Sequence, residues 1–171
     1  TVGGDITVTG NASTAEVTVT QTAQGTGLTA TATAAGVVGF DDGDVTIRDV
    51  NEASATAAGV ITTVTVTNAE DVIVDSGALT TLNIGGDIAT VDASALGALT
   101  TAAVDTLALN VADLTTTGTV TIDTDITTLN VTTTGASTIN ALSAAGATTL
   151  NFAGADDLTV SGATLTVAED I

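Results

Sequence analysis

The chain of 171 residues sets twenty Asp and Glu against a single basic residue, Arg48, and with no His its formal net charge is −19. Without His or Cys it can build neither the usual zinc site, nor a Ser-His-Asp triad, nor a thiol nucleophile. One cation cannot neutralise a phosphate backbone, so nucleic acid is excluded as a partner.

High charge signals disorder only alongside low hydrophobicity, and here 44% of residues are apolar, so a folded chain is expected. Trp and Tyr are absent and Phe occurs twice, which leaves small aliphatics to fill a thin, layered core. No apolar run reaches the roughly 18 to 20 residues of a membrane span, so no membrane insertion is expected. No basic stretch followed by an apolar one opens the chain, so no cleavable signal peptide is visible. The opening Thr1-Val2-Gly3-Gly4-Asp5 reads as part of a longer polypeptide.

From the N-terminus onward, the segments alternate by two. Ile6-Thr7-Val8-Thr9 and Val17-Thr18-Val19-Thr20 come first, followed by Val64-Thr65-Val66-Thr67 and Val120-Thr121-Ile122. Each sets β-branched aliphatics on one face and Thr on the other, the pattern of a half-buried strand. Gly, Asn and Asp punctuate the runs, as at Gly10-Asn11, Gly85-Gly86 and Gly154-Ala155-Asp156, and no Pro blocks pairing on either edge. The sequence predicts an all-β chain.

A sharper unit recurs in the second half. Thr81-Leu82-Asn83-Ile84, Ala108-Leu109-Asn110-Val111, Thr128-Leu129-Asn130-Val131 and Thr149-Leu150-Asn151-Phe152 share a Leu-Asn core, with the Asn positions 27, 20 and 21 residues apart. A period of about 20 residues holding two short strands predicts a parallel β-solenoid, right- or left-handed. Residues 1–171 form one segment of it, less regular over 1–75 and more regular over 76–171. An antiparallel β-sandwich is the competing fold. In the solenoid, Leu82, Leu109, Leu129 and Leu150 form an inward ladder with Val131 and Phe152 beside them. The Asn residues then stack on their equivalents in neighbouring coils.

The run from Asp5 to Ala23 resembles the surface-layer (S-layer) proteins of Caulobacter and related bacteria. So do Ala53-Ser54-Ala55-Thr56-Ala57-Ala58-Gly59, Asp75 to Asn83 and Leu107 to Gly118, in the same order. The resemblance implies a calcium-dependent protein exported by type I secretion to the cell surface. Its β-solenoid would associate with itself into a two-dimensional lattice and contact cell-surface lipopolysaccharide through another domain. The nonapeptide Gly-Gly-x-Gly-x-Asp of such secreted proteins is absent as a full copy; Gly3-Gly4-Asp5 and Gly85-Gly86-Asp87 are fragments. Calcium binding in this segment therefore has to stand on its own acids.

Calcium takes six to eight oxygens, best gathered on a turn. The densest acidic cluster is Asp41-Asp42-Gly43-Asp44, followed by Asp49, Asn51 and Glu52. Crowded carboxylates repel unless solvent or a cation screens them, so this is either a calcium site or a solvated turn. Asp71 and Asp75 fall on one face by alternation, Asp123 and Asp125 share a strand face, and Asp156-Asp157 lies on a Gly turn. Arg48 is placed by the sequence as an internal counter-ion to the Asp41–Asp44 cluster.

Catalysis is not expected. Parallel β-helices host polysaccharide-cleaving enzymes, but their sites lean on aromatics, Arg, Lys, Tyr or His, and here only Arg48 and two Phe are present. Thr-x-Thr arrays at Thr7/Thr9 and Thr18/Thr20 suit ice binding but lose phase after residue 33. A passive stalk of a secreted adhesin would use the same solenoid as a surface layer, and lattice formation separates the two.

Overall fold

A computed structural model of the chain describes residues 5–20, 43–94 and 104–165. All of the secondary structure there is strand: β1 (Ile6–Thr9), β2 (Glu16–Thr20), β3 (Val45–Arg48), β4 (Thr63–Asp75), β5 (Thr81–Ala93), β6 (Thr106–Thr116), β7 (Thr119–Ile122), β8 (Thr128–Thr134), β9 (Ser137–Ala144), β10 (Thr149–Gly154) and β11 (Leu158–Leu165). The chain is all-β, as its alternation predicts. Every ladder between the described strands is parallel, which overturns the antiparallel sandwich. Parallel neighbours cannot be joined by a tight hairpin, and here each strand returns beside its predecessor only after the chain has visited a second row.

The ladders fall into two rows. Row one runs β2, the first part of β4, the first part of β5, the first part of β6, β8 and β10. Row two runs β1, β3, the later parts of β4, β5 and β6, then β7, β9 and β11. The long strands β4, β5 and β6 serve both rows because each bends once in the middle. The register shifts between Thr67 and Ala69 in β4 and between Gly85 and Asp87 in β5.

The bends lie at residues in the left-handed region: Asn68 at φ 55, Gly86 at φ 70 and Asp113 at φ 49, with Gly135 at φ 71 in the turn between β8 and β9. Only Gly, Asn and Asp adopt this conformation at small cost. Bulk alternates up this corner. A Cβ on Gly86 would collide with the Asn68 side chain, and one on Gly135 with the Asp113 carboxylate. A large polar residue in one bend thus needs a glycine in the bend above it.

The inward side chains of both rows form a single buried cluster, including Val17, Val64, Leu82 and Leu109 of row one and Ile47, Val74 and Ile139 of row two. Where the chain turns from row two back to row one, Ile61, Leu79, Ile126 and Ala147 close the corner, each fully buried. The branched aliphatics that favour a pleated strand are also the residues that fill this narrow interior.

The expected Leu ladder is split in two. Leu82 pairs with Leu109, but Leu109 pairs with Val131 and Val131 with Phe152, while Leu107, Leu129 and Leu150 form a separate column. The repeated unit slips by two residues between β6 and β8, and because strand side chains have period two, inward residues stay inward. The Asn ladder breaks at the same place. Asn110 Nδ2 donates to Asn83 Oδ1 (2.7 Å), Asn83 Nδ2 donates to the Thr65 hydroxyl (2.9 Å), and Asn151 Nδ2 donates to Asn130 Oδ1 (2.8 Å), but Asn110 lies opposite Thr132. Phe152 sits in an inward column yet is 56% exposed, because β10 has no described strand on its outer side.

Candidate functional site

Several of the acids are taken up by the fold itself. Asp49 follows β3 directly and is 1% exposed. One carboxylate oxygen accepts from the backbone N–H groups of Val60 (2.6 Å) and Ile61 (2.7 Å) and lies 3.0 Å from the Ser76 hydroxyl. The other accepts from the N–H of Asn51 (2.9 Å). Burial alone would push this carboxyl's pKa up, but the N–H groups of Ile61, Asn51 and Val60 and the Ser76 hydroxyl hold it below the ordinary value. Asp49, expected beside a cation, has both oxygens engaged in clasping the two ends of the 50–59 loop. Ser76, also fully buried, lies 2.8 Å from the Ile61 carbonyl and joins the same node.

Beside this node stands a second pair. Asp75 ends β4 and is the ladder partner of Arg48. Asp75 Oδ1 and Glu52 Oε2 are both sealed from solvent, with no donor in reach. Burial, then the charge of Glu52, raises the Asp75 pKa from its ordinary 3.8 to about 6, with Arg48 opposing. Below that value Asp75 takes up a proton, which relieves its repulsion with Glu52. Arg48 is not an internal counter-ion. Its side chain is 50% exposed and its guanidinium lies 3.4 Å from Glu52.

The remaining candidates are scattered. Asp41 and Asp42 lie outside the described residues, while Asp44 is half-buried and accepts the Ile6 N–H through its backbone carbonyl (2.7 Å). Asp71 and Asp75 do point outward on one strand face, as alternation predicts, but four residues of strand separate them by about 13 Å. Asp71 accepts from the Thr90 hydroxyl (2.6 Å). Asp123 and Asp125 share no strand face, because β7 ends at Ile122 and Asp123 Oδ1 caps the following turn by accepting from the Asp125 N–H (2.7 Å). Asp156 accepts from the Gly135 N–H (2.8 Å), and Asp157 is exposed beside it. Among the described residues no three acids converge closely enough to surround a cation.

Sequence reasoning placed Asp49 and Glu52 near each other but missed Ser76 and the amides of Val60 and Ile61. The one available hint was Ser76 itself, a small hydroxyl following Asp75 in a run that turns out of a strand. Comparison with models of known protein families found no match, and a search of curated proteins likewise found none.

Proposed function

We propose that this chain is a structural, non-catalytic segment of a bacterial surface layer, secreted and held at the outside of the cell. Its two rows of parallel strands are the flanks of a β-solenoid, a stiff element that stacks coil on coil. The observation that carries this reading is the continuity of the ladders. Six strands succeed one another in row one, with a shared aliphatic interior and nothing but short polar side chains outward through most of it. A chain with one Arg and no His, Lys, Cys or Tyr has little with which to catalyse and much with which to build.

In this reading calcium is the lattice cation. It is drawn to the acidic stretches of the sequence, Asp41, Asp42 and Asp44, and to the turns that carry Asp123, Asp125, Asp156 and Asp157. Among the described residues no turn offers the oxygens calcium requires, so carboxylates of neighbouring copies complete the shell. Any attachment to lipopolysaccharide belongs to another part of the full protein.

Melting and light-scattering titrations in calcium, sodium and chelator test this. Calcium at a hundredfold excess over Kd would stabilise the folded form by about 2.7 kcal/mol and promote self-association. Sodium of equal ionic strength would do far less, since it screens but does not coordinate. Asp41→Asn with Asp44→Asn would remove part of the response. If sodium matches calcium, the calcium role fails; if the stabilised chain stays monomeric, an adhesin stalk becomes the better reading.

A further inference from the structure

The acids are not spread evenly over the molecule. Within row one, the stretches 63–67, 81–85, 106–112, 128–134 and 149–154 contain no charged residue, although the chain carries twenty acids. Outward they present only Thr, Asn, Ala and Gly, with Thr18 and Thr20 of β2 extending the patch toward Glu16 at its edge. Row two is charged where β4 and β5 run, with Asp71 and Asp75 of β4 and Asp87 and Asp92 of β5 on its outer side, while its shorter run of β7, β9 and β11 is uncharged. Exposed acids also rim the uncharged patch at Glu70, Asp87, Asp105, Asp113 and Asp156.

We propose that the outward face of row one is the surface through which two copies of this chain meet. The inference rests on the reading of the chain as self-assembling and assigns that assembly a face. Two bodies of charge −19 repel over most orientations. The approach of lowest repulsion brings uncharged face against uncharged face, and row one offers the longest such face. Its side chains are short, and several are already fixed by the Asn83–Thr65, Asn110–Asn83 and Asn151–Asn130 hydrogen bonds, so little freedom is lost on contact.

Five strands about 4.8 Å apart, each some 20 Å long, give a face on the order of 500 Å² per copy. Two such faces bury about 1,000 Å², the low end for specific association and suited to a weak contact that becomes strong only in an array. The acidic rims come together at the border of the same contact. Closure therefore needs a divalent cation there, which links this face to the calcium response.

The test compares two double variants of equal charge in the full 171-residue chain. Ala112→Asp with Thr132→Asp adds charge to the middle of row one, and Thr138→Asp with Thr164→Asp adds it to row two; all four positions are exposed. Self-association is followed by sedimentation velocity across a calcium titration, with circular dichroism melts as the check on folding. The row-one pair is expected to weaken association at least about tenfold, and the row-two pair by less than about twofold. Equal loss in both, or none in the row-one pair, overturns the face while leaving self-assembly standing. Absence of association in the parent overturns both readings. Thermal hysteresis from a monomeric parent would assign the face to ordered water and also overturn it.

Discussion

Replacing Asp49 probes how this fold seats a loop in a parallel stack. Asp49→Ala leaves the Val60, Ile61 and Asn51 N–H groups without their acceptor. Asn51 and Val60 are half-buried and their amides regain water, and the Ser76 hydroxyl keeps the Ile61 carbonyl at 2.8 Å. The cost falls chiefly on the buried Ile61 amide. A donor stranded in the interior costs about 1–3 kcal/mol, more when its lost partner was charged, so about 2–4 kcal/mol is expected. That is a large share of the roughly 5–15 kcal/mol that holds a domain folded. Asp49→Asn keeps one oxygen for the Val60 and Ile61 amides but turns an NH₂ toward the Asn51 N–H, at about 1–3 kcal/mol. Urea denaturation at neutral pH measures both, and hydrogen exchange at Ile61 locates the loss. Because the native pKa of Asp49 lies below its ordinary 3.8, its contribution is present above that value and fades as pH falls further; Asp49→Asn flattens this limb. A loss below about 1 kcal/mol for Asp49→Ala would refute the clasp.

Asp75 has the opposite sign. Its native pKa is raised to about 6 from 3.8, so its stabilisation is present below about pH 4 and is lost as pH climbs through about 6; Glu52→Gln should reduce that slope in melts from pH 4 to 7.5. Leu129→Ala removes a fully buried side chain at about 2–5 kcal/mol, whereas Phe152→Ala, at 56% exposure, should cost under about 1 kcal/mol by denaturant titration. Gly135→Ala forces a Cβ into a left-handed bend against the Asp113 carboxylate, at about 1–3 kcal/mol. The double variant with Asp113→Gly, which removes the carboxylate and keeps the left-handed bend, should recover part of that loss.

The strands were legible in the sequence because their signal is local: a period of two survives in any four-residue window, as in Val64-Thr65-Val66-Thr67. The acids were not. Asp49 and Asp44 look alike in a one-letter row, and what separates them is distant. The amides of Val60 and Ile61 and the hydroxyl of Ser76 lie 11, 12 and 27 residues further on. Asp123 and Asp125 mimic strand alternation, but the strand stops one residue earlier and Asp123 turns back on its own backbone. The Leu-Asn unit correctly placed Leu82, Leu109 and Leu129 inside, yet similarity of sequence did not fix which residue stands beside which.

That two-residue offset between β6 and β8 bears on how such a chain can vary. A shift of one would turn Leu129 and Val131 out to solvent and Asn130 and Thr132 into the interior, inverting the whole strand. A shift of two costs only the hydrogen bond between Asn side chains, because every neighbour of the right parity is an adequate neighbour. The interior therefore tolerates an even offset between strands, and register is pinned at the bends, where Asn68 faces Gly86 and Asp113 faces Gly135. Spacings of 27, 20 and 21 residues coexist in one stack for the same reason: the paired strands keep their inward and outward parity.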